Sequence, residues 1–477
     1  MIRLLLEAYY EPSFSGHSHG FRPGGGCHTA LREVATTWTG TSWFIEGDVS
    51  DCFGSLDHDI MIDILAEKIR DGRFLRLLRN MLQAGYLEDR VWNATLSGAP
   101  QGGVLSPILS NIYLHRLDNF VETVLIPEYT QGESRNRNPA YRKVEQALAQ
   151  ARKRGDRALA RELRGRLRSL PSKDPRDPGY RRLRYVRYAD DTLLGFAGPK
   201  SEVEHIKARL AQFLREDLKL ELSQDKTLIT HARTRAARFL GYEIAVKHDD
   251  TKISHGRRGL TAMISLNVPA TVIKAQCAPY LQRGKPARQP SLTAMDDYSI
   301  INVHGARYRG VVQYYPLAGD VYRLSRLHWV MQTSLLKTPA GKHRSSVAKM
   351  VRKFKTTIET PTGRRICLQG SRERGPGRKP LVARFGGIPL KRQKFAVLTD
   401  LQPARDTTRR KELIERLLSA HCEICGRNDK ATVHQVRKLA DLPATGPTQP
   451  EWARIMARRR RKTLVVCHPC HDVIHNR

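Results

Sequence analysis

Acidic residues are scarce in this chain: 47 Asp and Glu stand against 82 Lys and Arg among 477 residues, giving a formal net charge of +35. A surplus of that size argues for a polyanionic partner, because each phosphate contact of a nucleic acid releases counterions. Long apolar runs are also lacking. None approaches the roughly 18 residues that a membrane span needs, so no membrane partner is expected. The opening MIRLLLEAYYEP holds too short an apolar stretch for a secretory signal, and Glu7 and Glu11 argue against a transit peptide. Cysteines are few, and four of the eight crowd into the last 56 residues. The others, Cys27, Cys52, Cys277 and Cys367, are scattered. That distribution fits reduced thiols inside a cell rather than a disulfide scaffold. No internal repeat is evident, which removes solenoids and propellers. With 40% hydrophobic residues the chain can bury two to four separate cores.

RYVRYADDTLLGF, residues 184–196, is what remains to be explained once those classes are gone. Tyr185, Val186, Tyr188, Leu193, Leu194 and Phe196 have the composition of a half-buried strand. Two adjacent carboxylates, Asp190 and Asp191, sit in its middle. Neighbouring like charges raise each other's pKa, and a buried carboxylate must be paired or bound to a metal. A solvated hairpin tip is the bland alternative. The metal reading fits magnesium, which takes one or two carboxylates plus substrate phosphates. It requires a third carboxylate elsewhere.

SWFIEGDVSDCFGSLDH, residues 42–58, offers one: a strand through Trp43, Phe44 and Ile45 is interrupted by Asp48 and followed by an amphipathic helix in HDIMIDILAEKI. SGAPQGGVLSPILSNIYLHRLDNFV is a Gly/Pro turn feeding a helix. Residues 131–182 are basic with Pro-rich flanks and read as an inserted, surface-exposed helical arm. A helix is expected to open at Ser201, with Glu204 completing a capping box. LKLELSQDKTLITH and RFLGYEI supply further strands, and from about residue 261 helices take over. There aromatic and basic residues interleave, and Tyr308, Tyr314, Tyr315 and Trp329 are either core or base-stacking groups. Residues 356–410 are rich in Gly, Pro and Arg and are expected to be partly ordered only on nucleic acid.

The end of the chain carries a separate device. Cys422-x₂-Cys425 and Cys467-x₂-Cys470, about forty residues apart, form a four-thiolate zinc pattern. His434, His471 and His475 add a second cluster, the last two standing four apart on one helical face.

These blocks carry a resemblance. Asp48 in GDVSDCF, PQGGVLSPILSNIYL, YADD, LSQDKTLITH and FLGYEI follow the order found in reverse transcriptases, and their wording resembles the group II intron-encoded reverse transcriptase/maturases. HSHGFRPGGGCHTAL is similar to that family's finger segment. YRLSRLHWVMQTSLLKTPAGKHRSSVAKM is similar to its maturase region, and PLVARFGGIPL to the segment beyond. The resemblance runs from about residue 8 to the C-terminus and implies an α+β multidomain chain. Residues 1–260 would form right-hand polymerase fingers and palm with 131–182 inserted, and 261–355 a helical thumb/maturase domain. Residues 356–410 would be a basic DNA-binding linker, and 411–477 a small zinc-containing ββα-metal HNH domain. Asp48, Asp190 and Asp191 would hold two magnesium ions about 3.5–4 Å apart. Phe53 matches the residue that excludes a 2′-hydroxyl, Gln101 the glutamine beside the incoming nucleotide, and Lys226 the lysine that approaches the pyrophosphate. On the residues alone, Phe53 reads equally as core and Lys226 as a solvated lysine, while Asp51 reads as a surface group.

The activity implied is RNA-directed DNA synthesis from dNTPs in a bacterial cytoplasm or an organelle, with group II intron RNA and target DNA as partners, and whether the chain pairs as a homodimer stays open. His434, His471 and His475 would carry the divalent ion of the nicking site. There the family has a base histidine where this chain has Gln435, which has no titratable proton. Gly54 replaces an acidic residue usual in that strand, and GGG replaces a more basic stretch after FRP. Further finger blocks precede the matching point in the family, so truncation is expected. Those departures favour the alternative, a non-enzymatic or degenerate RNA-binding splicing factor; the three aspartates favour the enzyme. A reverse transcriptase of a retron or phage system is disfavoured by the maturase-like and HNH-like segments.

Overall fold

A computed structural model describes the chain apart from residues 89–90, 94–96, 100–102, 224, 255–256, 362, 375–377, 397–412, 414–415, 418, 429–430, 437–438, 440–441, 443–448 and 476–477. It divides into two compact units, one built on residues 1–267, the other mainly on residues 268–393 and the C-terminal segment.

In the first unit, helix α1 (Cys27–Thr37) leads into strand β1 (Trp43–Gly47), and α2 (Ser106–Phe120) follows. The basic arm folds as helices α3 (Pro139–Lys153) and α4 (Arg157–Ser169). Strands β2 (Arg182–Tyr188) and β3 (Asp191–Ala197), helix α5 (Lys200–Leu218) and strand β4 (Leu228–His231) complete the frame. The four strands form an antiparallel sheet in the order β2–β3–β1–β4. Period-two alternation sorts their side chains. Ile45, Leu194 and Phe196 enter a core with Ile112 of α2 and with Val203, Ile206 and Leu210 of α5. Phe44, one residue from Ile45, stacks on Trp38. Helices on one face of an antiparallel sheet are the α+β palm architecture expected of a polymerase.

The two arm helices meet over a small apolar contact of Leu148, Ala151 and Ala160, so little hydrophobic burial holds them. Arg152, Arg157, Arg161 and Arg164 line one recess on the arm. The helix expected to open at Ser201 opens at Lys200 instead. Pro199 occupies the cap position without a side-chain hydrogen bond, leaving Ser201 inside the first turn and Glu204 paired with Lys200 at 3.1 Å. A proline has its φ preset and no amide to satisfy, so it initiates the helix in place of the hydroxyl cap. Strands β5 (Ala237–Phe239), β6 (Tyr242–Ser254) and β7 (Arg257–Asn267) form a second antiparallel sheet, carrying strand structure slightly past residue 261.

In the second unit α6 (Asp297–Tyr314) and α7 (Ser325–Lys342) are followed by β8 (Lys355–Thr360), β9 (Gly363–Arg372) and β10 (Leu381–Gly386). These strands make a three-stranded antiparallel sheet. The expectation that order in 356–410 waits on nucleic acid is therefore overturned for 356–386. The reason is packing: Phe385 meets Tyr308 at 5.1 Å and His328 at 5.3 Å, and a Cβ on Gly305 would lie 2.1 Å from the Arg384 carbonyl oxygen. Residues 397–410 lie outside the described residues. Further on, β11 (Ala431–Gln435) pairs with β12 (Thr463–Cys467), and α8 (His468–His475) completes a ββα arrangement. No described helix is long and apolar enough to cross a membrane.

Candidate functional site

Strand register builds the first site. Gly47 of β1 faces Thr192 of β3, so Asp48, the next residue after β1, stands beside Asp191, the first residue of β3. A two-residue connection, Ala189–Asp190, closes the β2–β3 hairpin and puts Asp190 at its tip. Burial, then the charges of Asp190 and Asp48, push the Asp191 carboxyl up to about 6. Burial and Asp48 raise Asp190 as well. The three carboxylates thus share one electrostatic environment, the arrangement that a divalent cation relieves.

The hairpin is held from beneath by a charge pair that the sequence pattern did not disclose. Arg187, wholly buried on β2, donates to both carboxylate oxygens of buried Asp118, at 2.7 and 2.6 Å. It also donates to Asn111 Oδ1 (3.2 Å), Ser18 Oγ (2.8 Å) and the Ala189 carbonyl (2.7 Å). The Tyr185 hydroxyl donates to Asp118 at 2.8 Å. Burial works against the guanidinium charge, but Asp118 outweighs it and raises the Arg187 pKa. The bond to Ala189 matters because that residue sits at φ 56, a conformation an alanine adopts only when held there. The available signal was an arginine among the apolar residues of RYVRY.

The finger segment closes on the same turn. His19 N donates to the Arg187 carbonyl and Arg187 N to the His17 carbonyl, both at 2.9 Å, adding Ser18 as a parallel bridge to β2. Gly20 follows, where a Cβ would lie 2.3 Å from Ala189 N. Only glycine fits. His17 Nδ1 (2.5 Å) and His19 Nε2 (2.8 Å) both reach Glu33 of α1. Burial works against the Glu33 charge, but the two histidines win and hold it at about 2.

Of the other expected residues, Lys226 comes to the site: its Nζ donates to Asp48 Oδ2 at 2.9 Å, which raises its pKa. Its loop is stitched down by Ser223 N to the Asp48 carbonyl (2.9 Å) and by Lys207 Nζ to the Thr227 carbonyl (2.7 Å). Phe53 is half-buried and meets Phe21 edge-on at 6.5 Å. Asp51 is exposed, with its carboxylate over Gly54, where a Cβ would lie 2.2 Å from Oδ2. Asp51 thus fills the space beside the glycine that departs from the family pattern. Gln101 lies outside the described residues.

Two clusters in the C-terminal segment bring all their ligand atoms within 4.8 Å of one another: Cys422, Cys425, Cys467 and Cys470, and His434, His471 and His475. Four thiols at that spacing fit tetrahedral zinc. Arg427 draws the Cys425 thiol down to about 6, toward the thiolate, while burial pushes its neighbour Cys470 up to about 12. His434 is buried on β11, and burial followed by the His475 and His471 charges lowers its pKa, favouring the neutral ring with one nitrogen free to accept. Gln435, next along the strand, is exposed. Glu423, between the first two cysteines, accepts from Val465 N (2.7 Å), Arg459 (2.5 Å), Arg461 (3.4 Å) and Arg416. Of the four aromatics singled out above, Tyr308 and Tyr315 are core, Tyr314 is half-buried, and Trp329 is 57% exposed.

Three family models match in this order: reverse transcriptase (RNA-dependent DNA polymerase) over residues 1–244, type II intron maturase over 263–367, and AI2M/AI1M-like HNH endonuclease over 422–471. The group II intron-encoded protein LtrA of Lactococcus lactis subsp. cremoris is 34% identical, across 99% of this chain and 81% of its own length. An uncharacterized 91 kDa protein in the cob intron of Schizosaccharomyces pombe is 30% identical, across 100% of this chain and 59% of its own. A putative COX1/OXI3 intron 1 protein of Saccharomyces cerevisiae is 29% identical, across 100% and 58%.

Proposed function

The chain belongs to the group II intron-encoded reverse transcriptase/maturases, and we propose that within it Asp48, Asp190 and Asp191 form the nucleotidyl-transfer site. It is an RNA-directed DNA polymerase with maturase and HNH endonuclease domains. One observation carries the assignment: the register that sets Asp48 beside Asp191 also gives Asp191 a carboxyl raised to about 6 by burial and its two neighbours. Perturbed carboxylates gathered at a strand end in a strongly basic chain fit phosphate chemistry. Two magnesium ions bound there would neutralise charge on the nucleotide phosphates and the primer 3′-oxygen. The chain's own part is positioning, which phosphoryl transfer needs more than a protein nucleophile. The Lys226 ammonium, already against Asp48, supplies positive charge where the departing pyrophosphate must lie. Phe53 forms the wall against the sugar, leaving no room for a 2′-hydroxyl. Arg187 and Asp118 fix the hairpin so that Asp190 and Asp191 need no reorganisation on binding.

In the C-terminal domain the four cysteines hold structural zinc, and His434, His471 and His475 hold the divalent ion of the DNA-nicking site. The partners are group II intron RNA, bound through the basic surfaces, target DNA and dNTPs. Extension of a primed RNA template by the full chain in magnesium tests the polymerase assignment. Asp190→Ala combined with Asp191→Ala should lower the rate by at least about 10³-fold, since the ligands act together. Undiminished extension by that variant would overturn the assignment.

A further inference from the structure

We propose that Phe21 is a positioning residue for nucleotide selection: it buttresses Phe53 and so keeps in place the wall that separates deoxynucleotides from ribonucleotides. The inference rests on the reading of Phe53 given above.

Phe21 stands at φ 57, in the left-handed region that a bulky side chain rarely enters. The residue is 50% exposed, so full burial does not account for the conformation. Conformations of this kind persist only where their surroundings over-determine them, and they gather at functional sites. Both neighbours of Phe21 are fixed. The Gly20 carbonyl accepts from Asn111 Nδ2 at 2.8 Å, and Gly20 lies so near Ala189 of the hairpin that a Cβ on it would come within 2.3 Å of the Ala189 nitrogen. On the other side Arg22 donates to Glu11 at 2.9 Å and to the carbonyls of Ser18, at 2.7 Å, and Ser15. The backbone between two such anchors has little choice, and the ring follows it. That ring meets Phe53 at 6.5 Å, edge to face, and Tyr188 at 6.3 Å.

Phe53 lies five residues after Asp48, and Tyr188 two before Asp190. Phe21 therefore joins the two chain segments that bring carboxylates to the site, at the point where the Phe53 ring stands. Phe53 is itself only half-buried, so without Phe21 one of its faces opens to solvent and its rotamer is less constrained. A wall that can swing aside admits a 2′-hydroxyl.

Single-nucleotide incorporation on a primed RNA template by the full chain, with a dNTP or the matching rNTP, reads this directly as two kcat/KM values. Phe21→Ala should lower the deoxy-over-ribo ratio roughly tenfold or more, with ribonucleotide use rising more than deoxynucleotide use changes. Phe21→Gly removes both ring and strain. It should lose selectivity to the same degree while its unfolding temperature holds or rises, which separates positioning from folding. Phe21→Tyr keeps the ring and should keep the ratio. Parental ratios in both Phe21→Ala and Phe21→Gly, beside a lowered ratio in Phe53→Ala, would overturn the role of Phe21 and leave the Phe53 reading standing. A parental ratio in Phe53→Ala would bring down both. An equal fall in deoxy and ribo use in Phe21→Ala would also overturn the proposal.

Discussion

At the palm hairpin three carboxylates, all of one charge, are carried to the ends of two paired strands; in the C-terminal segment four thiols form one cluster and three imidazoles another, the donor atoms of each cluster lying within 4.8 Å of one another. The support beneath the two sites differs accordingly. The palm hairpin rests on a buried Arg187–Asp118 pair inside a large core shared by sheet and helices. Among the described residues, the C-terminal donors rest on a small cluster of six buried ones, two of them donors themselves, and on Glu423 with its arginines. Like charges must be forced together by a fold that is stable without them. Donors that can gather in their protonated, neutral form meet at little cost, so a small core suffices, and an ion bound there would complete it. The same contrast locates what each site can lose: the palm depends on what lies under it, the C-terminal site on the identity of single donors and bases.

The largest effect expected from breaking that contrast is therefore chemical and at the C-terminal site. Gln435→His should raise single-turnover nicking of duplex DNA by the full chain roughly 10²–10⁴-fold, the usual worth of a general base. His434 is buried on β11 while position 435, the last residue of that strand, is exposed, so an added imidazole there has room to turn toward the cluster at the strand end. Equal nicking by both proteins would show that another group already takes the proton.

At the palm the corresponding change is structural. Arg187→Met leaves Asp118 buried and uncompensated, which costs about 3–5 kcal/mol of stability. Urea denaturation of the first unit's transition measures it. The double variant Arg187→Met with Asp118→Leu should recover part of that loss, since it removes the unpaired buried charge but leaves the Tyr185 hydroxyl, Asn111 and Ser18 without their partner. If Arg187 also anchors Ala189, primer extension should stay low in the partly recovered double variant. Full activity there would reduce Arg187 to a stability element.

How much of this was legible beforehand follows the same division. The strand around Asp48, the YADD hairpin and the Cys-x₂-Cys pairs could be read because their chemistry is local and periodic. Arg187 could not: its meaning depends on Asp118, 69 residues away, and on Ser18, 169 away. The sheet over 355–386 was hidden for a related reason. Its Gly, Pro and Arg content suggests disorder, yet Gly305 and Gly370 are the close-packing points that let it lie on α6. Pro199 displacing Ser201 as the start of α5 shows a local rule overruled by its own neighbour. Gly20 and Phe21 were present in HSHGFRPGGG, but their approach to Ala189 and Phe53 exists only in three dimensions.

Exposure sharpens the comparison for RNA. Trp329 presents 57% of its surface on α7, whereas Tyr308 is buried against His328 and Phe385. Trp329→Ala should weaken binding of structured RNA by about 1–3 kcal/mol if it stacks on a base, and Tyr308→Phe should leave affinity unchanged. Both are measured by equilibrium binding at one fixed salt concentration, because affinity itself should fall by orders of magnitude between roughly 50 and 200 mM salt. Unaltered affinity in Trp329→Ala would remove it from the RNA surface.

The smallest effect expected is at the finger anchor, where Glu33 ties His17 and His19 to α1. Glu33→Gln should cost about 1–2 kcal/mol near pH 6, allowing for the partial exposure of His17. The pH dependence follows from the two shifts. Glu33 is depressed from its ordinary 4.5 to about 2, so its contribution is fully present above about 4.5 and is lost as the pH falls toward 2. His17 is raised, chiefly by its hydrogen bond to Glu33, so its contribution is complete below its ordinary 6.5 and is lost as the pH rises through the raised value. The difference in unfolding temperature between parent and Glu33→Gln should therefore be widest between about 4.5 and 6.5, narrowing on both sides. A difference constant from pH 3 to pH 9 would mean that Glu33 holds the finger segment by packing alone, with the histidine charges playing no part.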